Sequence, residues 1–176
     1  MRVVFLTSGE KGIAGWDPAK AAMTREAEAT AAAKLLGVST IRFWRLPDGA
    51  VRATQQLIRQ LVALLREWDP HYLYVPHAGE QHPDHRAVYR LASRALESHA
   101  IAIVRFYEVW TPLSDMDAIV DISDHIEDKI AAIRAYESQC AIMRFDEAAI
   151  GLNRYRGEMH SWPGGDYAEV FTERRA

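Results

Sequence analysis

Apolar and polar residues alternate along this chain in two rhythms that take turns. Arg2 to Leu6 reads as a short strand, and Ala22, Arg25, Ala29, Ala32, Ala33 and Leu36 then fall at helical spacing up to a stop at Gly37. Asp17-Pro18 opens that helix with a capping carboxylate and a residue whose fixed φ suits the first turn. A second strand around Ile41 to Trp44 runs into the turn Leu46-Pro47-Asp48-Gly49. Leu57, Leu61, Leu64, Leu65 and Trp68 mark a helix ended by Asp69-Pro70. His71 to Pro76 predicts a short buried strand, followed by a helix carrying Val88, Leu91, Ala92, Ala95 and Leu96. Ile101 to Val109 and Ala118 to Ile122 predict two more strands, and Ser123 is placed to cap a helix with Ile126, Ile130, Ile133 and Tyr136. From Phe145 the pattern weakens, so Gly151 to Gly165, rich in Gly, Arg and Trp, predicts a loop before Tyr167-Ala168-Glu169-Val170-Phe171 closes the chain. Strands and helices alternate without a repeat or a low-complexity linker. The expectation is one α/β domain over residues 1–176 with a mostly parallel sheet.

Composition narrows the function more than the fold. With 176 residues, 49% hydrophobic and 26% charged, the chain can bury a core of its own. A net charge of −3 with scattered basic residues gives no footprint for nucleic acid or an anionic membrane, and points to a small neutral or polar substrate. The single cysteine, Cys140, excludes an internal disulfide and a cysteine-based zinc site and reads as a helix-packing residue. Val3 to Leu6 is too short for a signal peptide core, and no apolar run nears the roughly 20 residues of a membrane span. A cytoplasmic location is expected. Trp110, Tyr155 and Trp162 are candidates for burial in a homo-oligomer.

The densest chemistry is His82-Pro83-Asp84-His85, which lies between the third strand and its helix, where open α/β sheets place their ligands. Pro83 suits the first helical position. The helix N-terminus disfavours protonated imidazole, so both histidines tend to stay neutral, free to ligate a metal or accept a proton. The bland reading has Asp84 charging the first turn and the histidines on a wet loop. Two more polar residues follow strands, Glu10 in the loop Thr7-Ser8-Gly9-Glu10-Lys11-Gly12 and Asp48 in its turn, although Pro-Asp-Gly is also ordinary turn sequence. Arg25 reads either as a group reaching the same crevice or as a solvated helix arginine. No Gly-x-Gly-x-x-Gly follows a strand, which disfavours a nucleotide-binding domain.

Taken in order, Leu6 to Gly12, Arg25 and Glu28 leading to Leu36-Gly37, Leu46 to Gly49, His82 to His85, Tyr107 to Trp110, Asp121-Ile122-Ser123, Lys129 with Tyr136-Glu137-Ser138-Gln139, and Ala168-Glu169 resemble the PIG-L/LmbE-like zinc-dependent deacetylases. That family removes the N-acetyl group from N-acetylglucosamine-containing substrates. The resemblance implies a Rossmann-like three-layer α/β sandwich and a zinc hydrolase. It implies His85 as a zinc ligand, His82 as acid or oxyanion stabiliser with Asp84 orienting it, and Glu10, Arg25 and Asp48 around an amino-sugar substrate. One departure stands out. The family's first strand ends in His-Pro-Asp-Asp, the source of two zinc ligands and the general base, and no such motif occurs here; Met1 aligns with the family's second strand. Two expectations account for this. Either the natural protein carries an N-terminal segment beyond the recorded chain, or a short variant has lost its site or rebuilt it around His77, Glu80, His82 and His85. A catalytically inactive sugar-binding or regulatory module is the alternative function.

Overall fold

A computed structural model describes residues 1–160 and 165–176. The chain alternates as its pattern predicts: β1 (Arg2–Thr7), α1 (Pro18–Leu35), β2 (Thr40–Leu46), α2 (Gln55–Trp68), β3 (Tyr72–Pro76), α3 (Pro83–Leu96), β4 (Ile103–Tyr107), β5 (Ala118–Asp121), α4 (Ile126–Arg134), α5 (Glu137–Cys140), α6 (Phe145–His160) and β6 (Ala168–Arg175). The architecture is α/β. Its residues form two compact units, Met1–Gly49 with Val120–Glu169, and Ala50–Ile119 with Val170–Ala176.

In the first unit β1 and β2 pair in parallel, with Phe5 opposite Phe43 and their rings stacked at 5.2 Å. Their register slips between Phe5 and Thr7, close to Arg45, whose φ of 52° is left-handed. Arg45 is held there by paired hydrogen bonds of 2.9 Å from its guanidinium to the Glu26 carboxylate. Asp17 caps α1 by accepting from the Lys20 N–H, with Pro18 next, and the helix buries the small residues Ala21, Ala29, Ala32 and Ala33. Met1, Val3 and Phe5 of the β1 region line an apolar groove with α1 and α4.

The second unit holds the amphipathic helices α2 and α3. Thr54 caps α2, which ends at Asp69 in the left-handed region (φ 44°), and α2 buries Leu57, Ile58, Leu61, Val62, Leu64 and Leu65. Strands β3 and β4 pair in parallel, Tyr72 opposite Ile103 and Val75 opposite Phe106. The strand order of that sheet is β3-β4-β6-β5. No described helix is long and apolar enough to cross a membrane.

In keeping with the mostly parallel expectation, β1–β2 and β3–β4 are parallel, in a two-stranded and a four-stranded sheet, and β6 adds antiparallel to β4. Antiparallel pairing needs no crossover helix, so a strand arriving after a long helical excursion can add in either sense. Three expectations need correction. β3 is half-buried, with Tyr72 44% and Tyr74 47% exposed. Its alternation places both rings on one face, where the Arg105 guanidinium lies 5.4 and 5.9 Å from their centroids. Residues 151–160, expected as loop, belong to α6, whose buried positions are Asp146, Asn153, Arg156 and Gly157. A helix buried through polar residues leaves no apolar stripe to read. Ser123 begins a single 3-10 turn, and its hydroxyl donates to Asp121 Oδ1 at 2.6 Å. Residues 161–164 of the expected loop, with Trp162, lie outside the described residues.

Candidate active site

The tetrapeptide opens α3 as its sequence dictates. His82 is the N-cap, with φ and ψ of −69° and 127°, and Pro83 is the first helical residue. His82 Nδ1 accepts from the Asp84 backbone N–H at 3.3 Å. A nitrogen that accepts carries no proton, so the neutral ring holds its hydrogen on Nε2. The Asp84 carboxylate, 6% exposed, accepts from the Val51 N–H at 3.1 Å and so ties the start of α3 to the segment ahead of α2. The bond between Asp84 and His82 therefore runs through the Asp84 backbone.

His85, one turn into α3, meets a group on the preceding loop. Its Nδ1 lies 2.9 Å from Oε2 of Glu80, a carboxylate that is fully buried. Glu80 is anchored from the far side by three consecutive backbone N–H groups. Val109, Trp110 and Thr111 donate to Oε1 at 2.8, 3.1 and 3.1 Å, and Trp110 also reaches Oε2 at 3.2 Å. His77 stands on the other side, 3.4 Å from Oε1. The loop between the two histidines is pinned by Arg86, whose guanidinium donates to the Glu80 and Gln81 carbonyls at 2.8 and 2.6 Å. Gly79 packs closely against the His77 ring, since a Cβ there would meet it at 3.1 Å.

Electrostatics follow from this nest. Burial pushes the Glu80 carboxyl up, yet the hydrogen bonds from Val109, His85, Thr111 and Trp110 outweigh it and hold the group below its usual range. For His85 burial dominates and lowers the imidazole below its ordinary value, only partly offset by Glu80. His85 is thus neutral over a wider pH range, as the sequence suggested, with desolvation as the main cause. Tyr107 is pushed up to about 12 by burial, with the Glu80 charge adding to it.

In the first unit the structure brings Glu10 and Asp48 together. The Glu10 carboxylate accepts from the Asp48 N–H at 2.7 Å, and Asp48 accepts from the Thr7 hydroxyl at 3.3 Å and the Lys11 N–H at 3.1 Å. The two carboxylates lace the loop after β1 to the turn after β2. Arg25 adjoins the same loop, since a Cβ on Gly9 would meet its Nε at 3.2 Å. Arg25 Nη1 donates to Glu28 at 3.1 Å, the guanidinium lies 4.9 Å over the Tyr136 ring, and its buried Nε has no partner. Glu28 in turn accepts from the Ser138 N–H and hydroxyl at 2.7 and 2.8 Å. Sequence reasoning missed the anchoring of Glu80 by 109–111, because backbone amides leave no mark in side-chain identity.

A catalytic zinc takes three protein ligands. Among the described residues no group of three or more His, Cys, Asp or Glu side chains is disposed to hold a metal ion. His85 has the geometry of one ligand, an imidazole braced through Nδ1 by a carboxylate. One such histidine does not make a zinc site, so the described residues do not fit the metal as a complete set.

The family model described as PIG-L: GlcNAc-PI de-N-acetylase matches residues 1–96. A 1D-myo-inositol 2-acetamido-2-deoxy-alpha-D-glucopyranoside deacetylase of Mycobacterium sp. (strain KMS) is 29% identical, covering 81% of this chain and 65% of its own length. A diacetylchitobiose deacetylase of Thermococcus kodakarensis is 28% identical over 77% of this chain and 58% of its own. The chain thus spans less than two thirds of the length of either relative. Among solved structures, the conserved protein TT1542 from Thermus thermophilus superimposes with a TM-score of 0.82 at 29% identity, covering 97% of this chain and 80% of that one.

Proposed function

This chain belongs to the PIG-L family, and from that premise we propose that it is a hydrolase acting on the N-acetyl amide of an N-acetylglucosamine-containing small molecule or conjugate. The observation that carries the reading is a division of labour between two neighbouring imidazoles, whose ring centroids are 4.8 Å apart. His82 accepts through Nδ1 and so offers a hydrogen on Nε2, whereas His85 donates through Nδ1 and so offers a lone pair on Nε2. Amide cleavage needs a donor that steadies the tetrahedral oxyanion and then protonates the amine, and a free imidazole lone pair would serve as one ligand of a hydrolytic metal. His82 is assigned the first role and His85 the second. Asp84 positions His82 through the fold of the first helical turn. Within the first unit, Arg25 is proposed as a cation with a spare Nε–H for a sugar hydroxyl, and Glu10 and Asp48 as the frame of the loop beside it.

The test is acetate release. The 176-residue protein, supplied with zinc, is incubated with N,N′-diacetylchitobiose and with an N-acetylglucosaminyl inositol, and acetate and new primary amine are followed together by NMR. Equal amounts of both, lost in His82→Ala, are the expected result. A folded chain that releases neither product from either compound overturns the proposal.

A further inference from the structure

We propose that Glu80 is a positioning residue that fixes His85 as its Nδ1–H tautomer, so that Nε2 is the nitrogen presenting a lone pair. Neutral imidazole in water favours the opposite form, with hydrogen on Nε2, so something in the protein must select this one. A carboxylate has only acceptor oxygens, and at 2.9 Å from Oε2 the His85 Nδ1 must be the donor. The carboxylate has no freedom to turn away. It is fully buried, and three backbone N–H groups from Val109 to Thr111 converge on Oε1. The loop thereby spends three peptide donors on holding one carboxylate against one histidine.

His77 supplies the internal control. It also flanks Glu80, yet its Nδ1 accepts from the Gly79 N–H at 3.1 Å and its Nε2 lies 2.8 Å from the Thr111 carbonyl, an acceptor. Those partners select Nε2–H. Two histidines on the same short loop and helix start therefore carry their hydrogens on opposite nitrogens, and what differs is whether Nδ1 faces a donor or the Glu80 carboxylate. The consequence for catalysis rests on the deacetylase reading; the tautomer itself does not.

Glu80→Gln is the discriminating variant because it keeps the shape and exchanges one acceptor for a donor. The glutamine carbonyl oxygen can occupy the Oε1 position and retain all three backbone N–H groups, which leaves its NH2 facing His85 Nδ1. An N–H in that place requires a bare Nδ1, so the ring hydrogen moves to Nε2. Two-bond 1H–15N correlation spectra of the apoprotein, recorded where His85 is neutral, identify the protonated nitrogen of each ring. The wild type is expected to show Nδ1–H for His85 and Nε2–H for His77. In Glu80→Gln, His85 is expected to exchange the two patterns while His77 stays as it was. A wild-type His85 with Nε2–H overturns the proposal, as does a folded Glu80→Gln protein whose His85 pattern is unchanged. If the variant does not fold, the wild-type spectrum alone decides. Acetate release plays no part in this readout, so a failed deacetylase assay leaves the tautomer standing, whereas a His85 found with Nε2–H fails the tautomer whatever the assay gives.

Discussion

A histidine at a helix N-cap performs two tasks that substitution can separate. His82 accepts the Asp84 N–H and so stabilises the first turn of α3, and it is also the proposed donor to the reacting amide. Asparagine caps helices as well as any residue but cannot act as an acid. His82→Asn is therefore expected to leave the unfolding free energy within roughly 0.5 kcal/mol of wild type, while His82→Ala loses about 1 kcal/mol, read by urea denaturation. Both variants are expected to lower kcat for acetate release by on the order of 10²- to 10⁴-fold, the usual worth of a positioned acid or base. An Asn variant with wild-type kcat would confine His82 to its capping role. At this scale the sequence showed the tetrapeptide and its place at a helix start, because proline and two histidines at a strand end are visible as residue types. It did not show that Asp84 would serve Val51, or that Glu80 would be the buried hub, since both depend on backbone N–H groups brought in from elsewhere.

Between elements, the antiparallel pairing of β4 with β6 places Arg105 directly opposite Glu173, and Arg105 Nε donates to its carboxylate at 2.9 Å. The bonds from Arg105 and Arg175 hold the Glu173 carboxyl below its ordinary value of 4.5. Because the folded-state pKa is depressed, the unfolded chain takes up this proton first as pH falls. The pair's contribution is thus fully present above about pH 4.5 and is lost as pH drops through the folded-state value. In Glu173→Gln that portion of the acid destabilisation should vanish, leaving a flatter plot of unfolding free energy against pH below 4.5; an unchanged slope would deny the pair its role. Helix α6 offers a second test, in which propensity and sterics oppose each other. Gly157→Ala should favour the helix by up to about 1 kcal/mol. Yet its Cβ would sit 2.3 Å from the Asp166 carbonyl oxygen. Backbone must shift to admit it, so net destabilisation of roughly 1–3 kcal/mol and a lowered Tm are expected in a thermal melt. The same glycine explains why this helix was illegible. Gly157 and the buried Asn153, whose amide donates to the Ala168 carbonyl at 2.8 Å, look like loop residues until the segment they pack against is known.

For the molecule as a whole, the alternation of strands and helices was readable because period-2 and period-3.6 patterns are local properties of the chain. The mostly parallel sense was readable too, but the antiparallel addition of β6 was not, because pairing is decided by residues far apart in sequence, as in Arg105 with Glu173. The zinc question belongs to this scale too. The chain is matched over 65% of the length of its mycobacterial relative, and the His-Pro-Asp-Asp motif that the family resemblance leads one to expect does not occur in its 176 residues. What the described residues offer is one braced imidazole, and a single neutral histidine binds zinc far more weakly than the three-ligand set of a catalytic centre. After gel filtration in metal-free buffer, the 176-residue protein should therefore retain well below one zinc per chain by elemental analysis, with His85→Ala little different. About one zinc per chain, abolished in His85→Ala, would instead mean that His85 acts in a complete ligand set. The further ligands would then be sought on a second copy of the chain, by asking whether zinc content and oligomeric state rise and fall together with protein concentration.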